Sequence, residues 1–215
     1  MTQILTRKAE ATRQTILDTG HRLVLQKGFV GLGLQEVLKA SGVPKGSFYY
    51  YFPSKEAFGC ALLQQYVDGY LGQLDQLLAM PADTGRQRLM RYWRAWLAVP
   101  GGDDAASGWA EDCLVVKLAA EVADLSEDMR LVLSSGVDRL QARIAAMIAE
   151  GRADGSLPPG APPAALAQVL YQMWLGAALL AKLSRSRTPM QQALDATAAL
   201  LACSGEHDKH DNHGD

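Results

Sequence analysis

The chain has 215 residues, of which 48% are hydrophobic and 20% charged, and its formal net charge is −2 at pH 7. This length accommodates one large domain or a small domain joined to a larger one. The slight acidity excludes a uniformly basic nucleic-acid-binding chain, but the charge is uneven, with +4 on residues 1–60 and −6 on the remainder. A basic N-terminal part on an acidic body indicates that one end of the molecule faces a polyanion.

The cysteines and the apolar segments indicate the compartment. Three widely spaced cysteines are present, Cys60, Cys113 and Cys203. Their odd number and the lack of an apolar run at the N-terminus predict a cytoplasmic protein with reduced thiols. Lys182 and Arg185 interrupt the most apolar segment, near Met173, so we expect neither a membrane span nor a membrane partner.

Helical periodicity runs through nearly the whole chain. Apolar residues recur every three or four positions, and clusters of Gly, Pro and Asp separate them, which predicts an all-α protein. The first helix is predicted from about Arg7 to Lys27, with Gly28 ending it. Two short helices follow, and then a long helix from about Lys55 to Met80, for which Ser54 is the predicted N-cap.

The later predicted helices are separated by proline- and glycine-rich breaks. They cover approximately residues 85–99, 109–122, 126–152, 163–183 and 189–203. Ser126, followed by two acidic residues, is a predicted N-cap, and Pro100 begins a predicted break. Residues 204–215 are polar and are predicted to be disordered. We expect domains at 1–54 and 55–203, followed by this tail.

Residues 35–58, QEVLKASGVPKGSFYYYFPSKEAF, have the pattern of two short helices around a tight turn. Gly42 tolerates the positive φ of such a turn, and Pro44 is predicted at the first position of the second helix. This pattern is typical of a helix-turn-helix, whose second helix enters the major groove of DNA. The predicted DNA-binding residues are Gln35, Lys45, Gly46, Ser47, Tyr49, Tyr50 and Lys55.

These side chains suit different parts of a DNA duplex. Lys45 and Ser47, near the start of the second helix, are expected to reach base edges, while Gly46 lets the backbone approach closely. The tyrosines and Lys55 are better placed for phosphates, and Gln35 for either. A tyrosine-rich packed hairpin is the alternative, but packing does not require cations and small residues at these spacings.

The segment GVPKGSFYYYFPSKE resembles the signature of the TetR family of transcriptional regulators, Gly-Val-Ser-Lys-Gly-Thr-Leu-Tyr-x-Tyr-Phe-x-Ser-Lys-Glu. Arg13 and Gly28 also occupy family positions. The resemblance implies a three-helix DNA-binding domain and a C-terminal helical bundle that binds an effector and dimerises. It also implies a homodimeric repressor that a small molecule releases from a palindromic operator. Gly33 departs from the pattern, because the family often has Thr or Ser capping the second helix.

Residues 109–130 and 171–186 resemble the NemR- and AcuR-like branch of this family, whose members respond to reactive electrophiles or to acrylate. The resemblance makes Cys113 a candidate sensor. A helix N-terminus favours its thiolate, whereas Glu111 and Asp112 disfavour it, and buried cysteines are commonly inert. The residues alone therefore leave open whether Cys113 senses or packs.

Further candidates for effector binding lie on the C-terminal helices. Lys182 interrupts an apolar helix, where it would pair with Glu121, hold a ligand carboxylate, lie beside Cys113 or extend its amine to solvent. The tryptophans that could line a cavity for a small acid or enone are Trp93, Trp96, Trp109 and Trp174. Buried tryptophans are, however, more often core residues.

The sequence does not favour catalysis or metal binding. His21 is the only histidine outside the tail, so no catalytic set is predicted, and the spaced tail histidines lie in an acidic segment where we expect no metal or other cofactor. The expected partners are double-stranded DNA, a small effector and a second copy of the chain. The rival interpretations are a helical enzyme using Cys113, a regulator that binds an apolar ligand reversibly without thiol chemistry, and a helical interaction module.

Overall fold

The structure, a computed structural model, describes residues 7–81, 84–97 and 108–202. Within these ranges all regular structure is helical, which confirms the predicted class. The described helices are α1 (Arg7–Lys27), α2 (Leu34–Ser41), α3 (Lys45–Tyr51), α4 (Lys55–Ala79), α5 (Gly85–Leu97), α6 (Leu114–Leu125), α7 (Glu127–Ala153), α8 (Pro163–Ser184) and α9 (Thr188–Leu200). The predicted break at Pro100, Cys203 and the predicted disordered tail lie outside the described residues.

The described residues pack into two compact units. The first comprises the described chain through Leu71 together with Cys113–Val137, and the second comprises Gly72–Asp112 and the described chain from Asp138. Helices α4 and α7 therefore contribute residues to both units. The proposed division of functions between residues 54 and 55 stays a prediction.

The first unit has a core shared by α1, α2, α3, the start of α4 and α6. Helix α1 packs against α2 and α3. Three phenylalanine rings close this core, with centroids 5.4 Å apart for Phe48 and Phe52, 5.4 Å for Phe48 and Phe58, and 5.2 Å for Phe52 and Phe58. Leu114 and Leu118 of α6 belong to the same buried cluster. Truncating one such ring to alanine costs about 3–5 kcal/mol, so α6 and the helix-turn-helix are stabilised together.

Short-range caps fix three of the predicted helix ends in this unit. Gly28 and Gly42 have φ values of +78° and +69°, which confirms their predicted roles as left-handed helix ends. Ser54 Oγ accepts a hydrogen bond from the Ala57 amide at 2.9 Å, as a predicted N-cap should. Pro44 lies one position earlier than predicted: its ψ of 147° makes it the N-cap of α3 rather than the first helical residue.

Helix α6 begins later than the sequence predicted. Residues 109–112 form a turn, and the helix starts at Leu114 with Cys113 as N-cap. A helix continuing from Trp109 would need the Leu114 amide to bond to the carbonyl four residues earlier, but this amide donates to the Tyr66 hydroxyl at 3.2 Å. The predicted start at Trp109 was therefore wrong because a partner distant in sequence takes the amide.

The second unit has an aromatic core where α5, α8 and α9 pack. The Trp93 and Trp174 rings stack with centroids 4.7 Å apart and planes inclined by 13°. Trp174 Nε1 donates to Thr197 Oγ1 at 2.9 Å, so a buried polar group is satisfied within the core. Helix α9 packs against α8 and α5.

Helix α8 is, among the described residues, the one helix long and apolar enough to cross a bilayer. That statement rests on length and composition, and core helices of soluble proteins meet the same criteria. About a third of its most apolar window, 33%, is buried inside the molecule. The expectation that the chain has no membrane span stays a prediction.

Candidate nucleic-acid interface and ligand cavity

Helix α3 divides sharply between a buried side and an exposed side. Phe48 is fully buried, whereas its neighbours Tyr49 and Tyr50 are 44% and 61% exposed. Lys45 Nζ lies 6.0 Å from the centroid of the Tyr49 ring, because residues four apart share one helix face. Gly46 is exposed, and a β-carbon there would meet nothing within 4 Å. The exposed side thus offers an amine, phenols and open backbone to an approaching surface.

The other predicted DNA-binding residues flank this helix. Gln35 is exposed at the second position of α2, and Ser47 is half-buried on α3. Lys55 is also half-buried, with its Nζ 5.0 Å from the centroid of the Phe29 ring. This ring contact holds the Lys55 side chain in place, while a terminal amine remains able to meet a phosphate.

Two basic side chains of α1, Lys27 and Arg13, contact neighbours within the first unit. Lys27 forms an ion pair with Glu36. The Arg13 guanidinium lies 5.5 Å from the centroid of the Phe52 ring and its Nη1 is 3.8 Å from Glu10 Oε1. Lys45 is the one basic residue of α3 itself, and it is exposed. Such a surface binds phosphates electrostatically, with an affinity that falls as salt rises.

Helix α6 is tied to the other helices of the first unit at two points. Near its start, the Leu114 amide donates to Tyr66 of α4, as described above. In its last turns, the Glu121 carboxylate accepts a hydrogen bond from the amide of Val30, in the turn between α1 and α2. Glu121 is therefore a helix-docking residue within the first unit rather than the partner of Lys182 that the sequence allowed.

The two cysteines that the structure describes differ in setting. Cys113 is 2% exposed at the N-cap of α6, and its side chain makes no capping hydrogen bond. Cys60 is half-buried on α4. Burial, together with the nearby carboxylates of Asp128 and Glu56, raises the pKa of the Cys60 thiol. Cys60 is therefore a poor nucleophile at neutral pH.

A cavity of about 470 Å³ lies in the second unit beside the turn between α8 and α9. Its lining comprises Trp96, Leu97, Ala110, Glu111, Ala178, Ala181, Lys182, Arg185, Ser186, Arg187 and Met190. Lys182 Nζ donates to the Glu111 carbonyl oxygen at 3.0 Å. Arg187 Nη2 lies 4.0 Å from Glu111 Oε1. The cavity is open to solvent on one side and combines buried apolar residues with three exposed cationic residues and one carboxylate.

The predicted effector residues are not all gathered at this cavity. Lys182 lines it. Trp93 and Trp174 are fully buried and stack in the aromatic core, and Trp109 is half-buried with its ring 6.1 Å from that of Tyr92. Cys113 belongs to the first unit. The effector roles of these five residues stay predictions.

The sequence reasoning did not identify the two arginines that line the cavity. Arg185 and Arg187 follow the end of α8 in the segment LSRSRTP, where alternating cations stand between two apolar helices. That pattern could have been noticed, but it does not reveal that both side chains reach one cavity with Glu111. Among the described residues, no three side chains form a metal-binding group, and the tail histidines lie outside them.

Two family models match the chain. Bacterial regulatory proteins of the tetR family match residues 16–58, and the tetracyclin repressor-like C-terminal domain matches residues 85–197. These ranges contain the helix-turn-helix and the aromatic core with its cavity. The chain belongs to the TetR family of transcriptional regulators, which are DNA-binding proteins, as its signature segment predicted.

Characterised relatives place the chain more narrowly. The HTH-type transcriptional repressor NemR of Escherichia coli strain K12 is 43% identical over 191 residues, covering 89% of this chain and 94% of NemR. The transcriptional regulator AcuR of Cereibacter sphaeroides is 35% identical over 182 residues, covering 85% and 81%. The crystal structure of reduced E. coli NemR matches with a TM-score of 0.83, covering 91% of this chain and 99% of that one at 43% identity. The chain therefore falls in the NemR- and AcuR-like branch.

Proposed function

We propose that this protein is a one-component repressor that binds a palindromic operator as a homodimer and is released by a small effector. Family membership supports transcriptional regulation through DNA. The observation that carries the proposal is the exposed Lys45–Tyr49 face of α3, opposite the buried Phe48. The protein acts in the cytoplasm, where its DNA target lies.

The proposed DNA contacts follow from where each side chain lies. Lys45, Gly46 and Ser47 occupy the first turn of α3, the part of a recognition helix that reaches base edges. Tyr49 and Tyr50 are exposed further along and bind phosphates. Gln35 and Lys55, at the starts of α2 and α4, complete the contact set.

The proposed dimer uses the outer sides of α8 and α9. Large apolar side chains are exposed there, with Val169 at 55%, Leu180 at 54%, Leu183 at 81% and Leu200 at 55%. Val169, Leu180 and Leu183 share one side of α8, and exposed apolar residues grouped in this way indicate a protein interface, because burying them contributes roughly 25 cal/mol per Å². Two-fold symmetry would then place two α3 helices in successive major grooves, roughly 34–36 Å apart.

Sedimentation velocity tests the dimer. Leu183→Arg should convert dimer to monomer, because it places two like charges on the symmetric interface. Leu125→Arg is the matched control, since Leu125 is 48% exposed on α6 in the other unit. A dimeric Leu183→Arg variant would place the interface elsewhere.

The proposed effector is acrylate or a reactive electrophile, which is what the resemblance to the NemR- and AcuR-like branch implies. Cys113 would act as the thiol that reacts with an electrophile. In the second unit, Lys182 and the tryptophans Trp93, Trp109 and Trp174 are the candidates for binding an acid such as acrylate reversibly. Because Cys113 is 2% exposed, the reaction requires local opening at the start of α6. That requirement couples modification to the helix that is docked on the DNA-binding region.

Release from DNA, followed by intact mass, tests the effector. The protein is bound to DNA flanking its own gene and titrated separately with acrylate and with N-ethylmaleimide. Release with a single adduct on Cys113, lost in Cys113→Ser and kept in Cys60→Ser, supports thiol sensing. Release by acrylate without added mass supports reversible acid sensing. Failure of both compounds to release DNA would refute the proposed effector class.

A further inference from the structure

The cavity beside the α8–α9 turn carries an excess of positive charge. Lys182, Arg185 and Arg187 line it against the single carboxylate of Glu111, a formal balance of +2. The Glu111 carboxylate neutralises this positive charge only weakly, because it lies 4.0 Å from Arg187 Nη2. Lys182 donates its hydrogen bond to the Glu111 backbone carbonyl oxygen and not to the carboxylate. The lining residues therefore favour an anion that can approach more than one cation at once.

Arg185 provides an independent indication that this charge is used. It is the one non-glycine residue with positive φ among the described residues, at φ 50° and ψ 40°, and it ends α8. Glycine or asparagine is usual at such a left-handed helix end, because other side chains are strained there. Residues in sparsely populated backbone conformations cluster at ligand sites, and Arg185 is among the residues that line this cavity.

The apolar part of the lining defines the rest of the ligand. Trp96, Ala178 and Met190 are buried residues that contribute to the cavity wall. The volume of about 470 Å³ lies in the usual range for small-molecule sites, and a carboxylate as small as acrylate would cover little of the apolar lining. We propose that this cavity binds an amphipathic monocarboxylate with a hydrocarbon chain several carbons longer than that of acrylate.

The cavity is compatible with dimerisation through α8. On this helix the cavity-lining residues are Ala178, Ala181, Lys182 and Arg185. The exposed apolar residues Val169, Leu180 and Leu183 lie on a different side, since each residue advances about 100° around a helix. A carboxylate can therefore occupy the cavity while the outer side of α8 is covered by a second copy.

The turn that carries Glu111 gives this site a route to DNA binding. Glu111 lies two residues before Cys113, the N-cap of α6, and α6 is docked on the α1–α2 turn through Glu121. An anion that drew Lys182 away from the Glu111 carbonyl oxygen would release the segment from which α6 starts. This regulatory role rests on the proposed repressor function, whereas binding to the cavity does not.

Calorimetric titration with octanoate, below its critical micelle concentration, tests the site. We expect saturable binding with one octanoate per chain, accompanied by a change in tryptophan fluorescence because Trp96 lines the cavity. Arg185→Gly should weaken binding at least about tenfold, the scale of a lost charge-assisted hydrogen bond. Its unfolding midpoint should be equal to or above that of the wild type, because glycine relieves the strained φ. Glu111→Gln should tighten binding, and Arg94→Ala, an exposed α5 arginine outside the cavity, should leave it unchanged.

Four results would overturn the site: equal binding of 1-octanol, equal binding of inorganic phosphate, equal binding of acrylate, or unchanged octanoate affinity in Arg185→Gly. Equal binding of 1-octanol would show that the site does not require an anion. Equal binding of phosphate would show that it does not require an apolar chain, and equal binding of acrylate would show that it does not require a long one. A separate titration measures operator affinity with and without octanoate. If octanoate binds the protein but leaves operator affinity unchanged, the regulatory role is refuted and the binding site stands. If the ligand-free protein does not bind the operator at all, the repressor function itself is refuted.

Discussion

Replacing Gly28 by alanine tests how α6 is held against the DNA-binding helices. Gly28 has a φ of +78°, and a β-carbon there would lie 2.7 Å from Glu121 Oε2. The same carboxylate accepts the hydrogen bond from the Val30 amide. An alanine side chain would therefore both strain the backbone and push the carboxylate away from that amide.

The expected cost has two parts. A left-handed conformation costs a non-glycine residue roughly 1–2 kcal/mol. Loss of a hydrogen bond at this exposed turn adds about 1 kcal/mol, so Gly28→Ala should lower the free energy of unfolding by about 2–3 kcal/mol. Gly42→Ala is the matched control in the same unit, because its φ is +69° and a β-carbon meets nothing within 4 Å. Gly42→Ala should therefore lower the free energy of unfolding only by the cost of the left-handed backbone, roughly 1–2 kcal/mol.

Urea unfolding followed by circular dichroism measures these free energies. Combining Gly28→Ala with Glu121→Ala should give less than the sum of the two single effects, with a coupling of about 1 kcal/mol, because the second change removes the obstructing carboxylate. Equal costs for Gly28→Ala and Gly42→Ala, or zero coupling with Glu121→Ala, would refute the claim that Glu121 docks α6 on the α1–α2 turn.

Three further predictions concern stability. Gly33→Thr should raise the free energy of unfolding by roughly 0.5–1 kcal/mol in urea titrations. Gly33 is the N-cap of α2 and has an extended backbone, no side-chain hydrogen bond and open space around its α-carbon. A lower free energy of unfolding would mean that threonine cannot cap α2. Thr197→Val should cost about 1–3 kcal/mol by the same method, since it leaves the buried Trp174 Nε1 without its acceptor, and a neutral result would refute that bond's importance. Hydrogen bonds from Arg143 hold the pKa of Asp75 below its usual value. This half-exposed pair therefore stabilises the fold at pH values above the pKa that Asp75 has in the unfolded chain, and the stabilisation is lost as Asp75 is protonated at lower pH. Between about pH 5 and pH 3, the free energy of unfolding measured by thermal unfolding should fall slightly more for wild type than for Asp75→Asn, by less than about 1 kcal/mol. The same fall in both proteins would contradict this prediction.

Helix ends were predictable where the cap is local. Ser54, Gly28 and Gly42 each act through one or two neighbouring residues, so a short window of sequence contains the whole cause. The start of α6 was not predictable in this way. Its first amide bonds to Tyr66, 48 residues earlier in the chain, and no local pattern reports that partner.

The DNA-binding surface was predictable from a local segment of sequence, whereas the cavity was not. The exposed side of α3 could be read from one continuous segment, whereas the cavity draws its lining from α5, the turn before α6, α8 and α9. Arg185 is an exposed residue at the end of α8, and no local sequence pattern reports its left-handed backbone or its place in the cavity lining. Trp93 and Trp174, which the sequence allowed in a cavity but favoured as core residues, stack in the core because α5 and α8 bring their rings together.

DNA binding through α3 is tested most directly by fluorescence anisotropy with the DNA flanking the protein's own gene, in the presence of competitor DNA. Wild type should bind a two-fold symmetric site saturably, with an affinity that falls steeply as salt rises. The double variant Lys45→Ala, Tyr49→Ala should bind at least about a hundredfold more weakly while keeping its helicity and oligomeric state, because it removes one base contact and one phosphate contact from each recognition helix. Binding of the double variant to the same site with the affinity of wild type would contradict the assignment of α3 as the recognition helix.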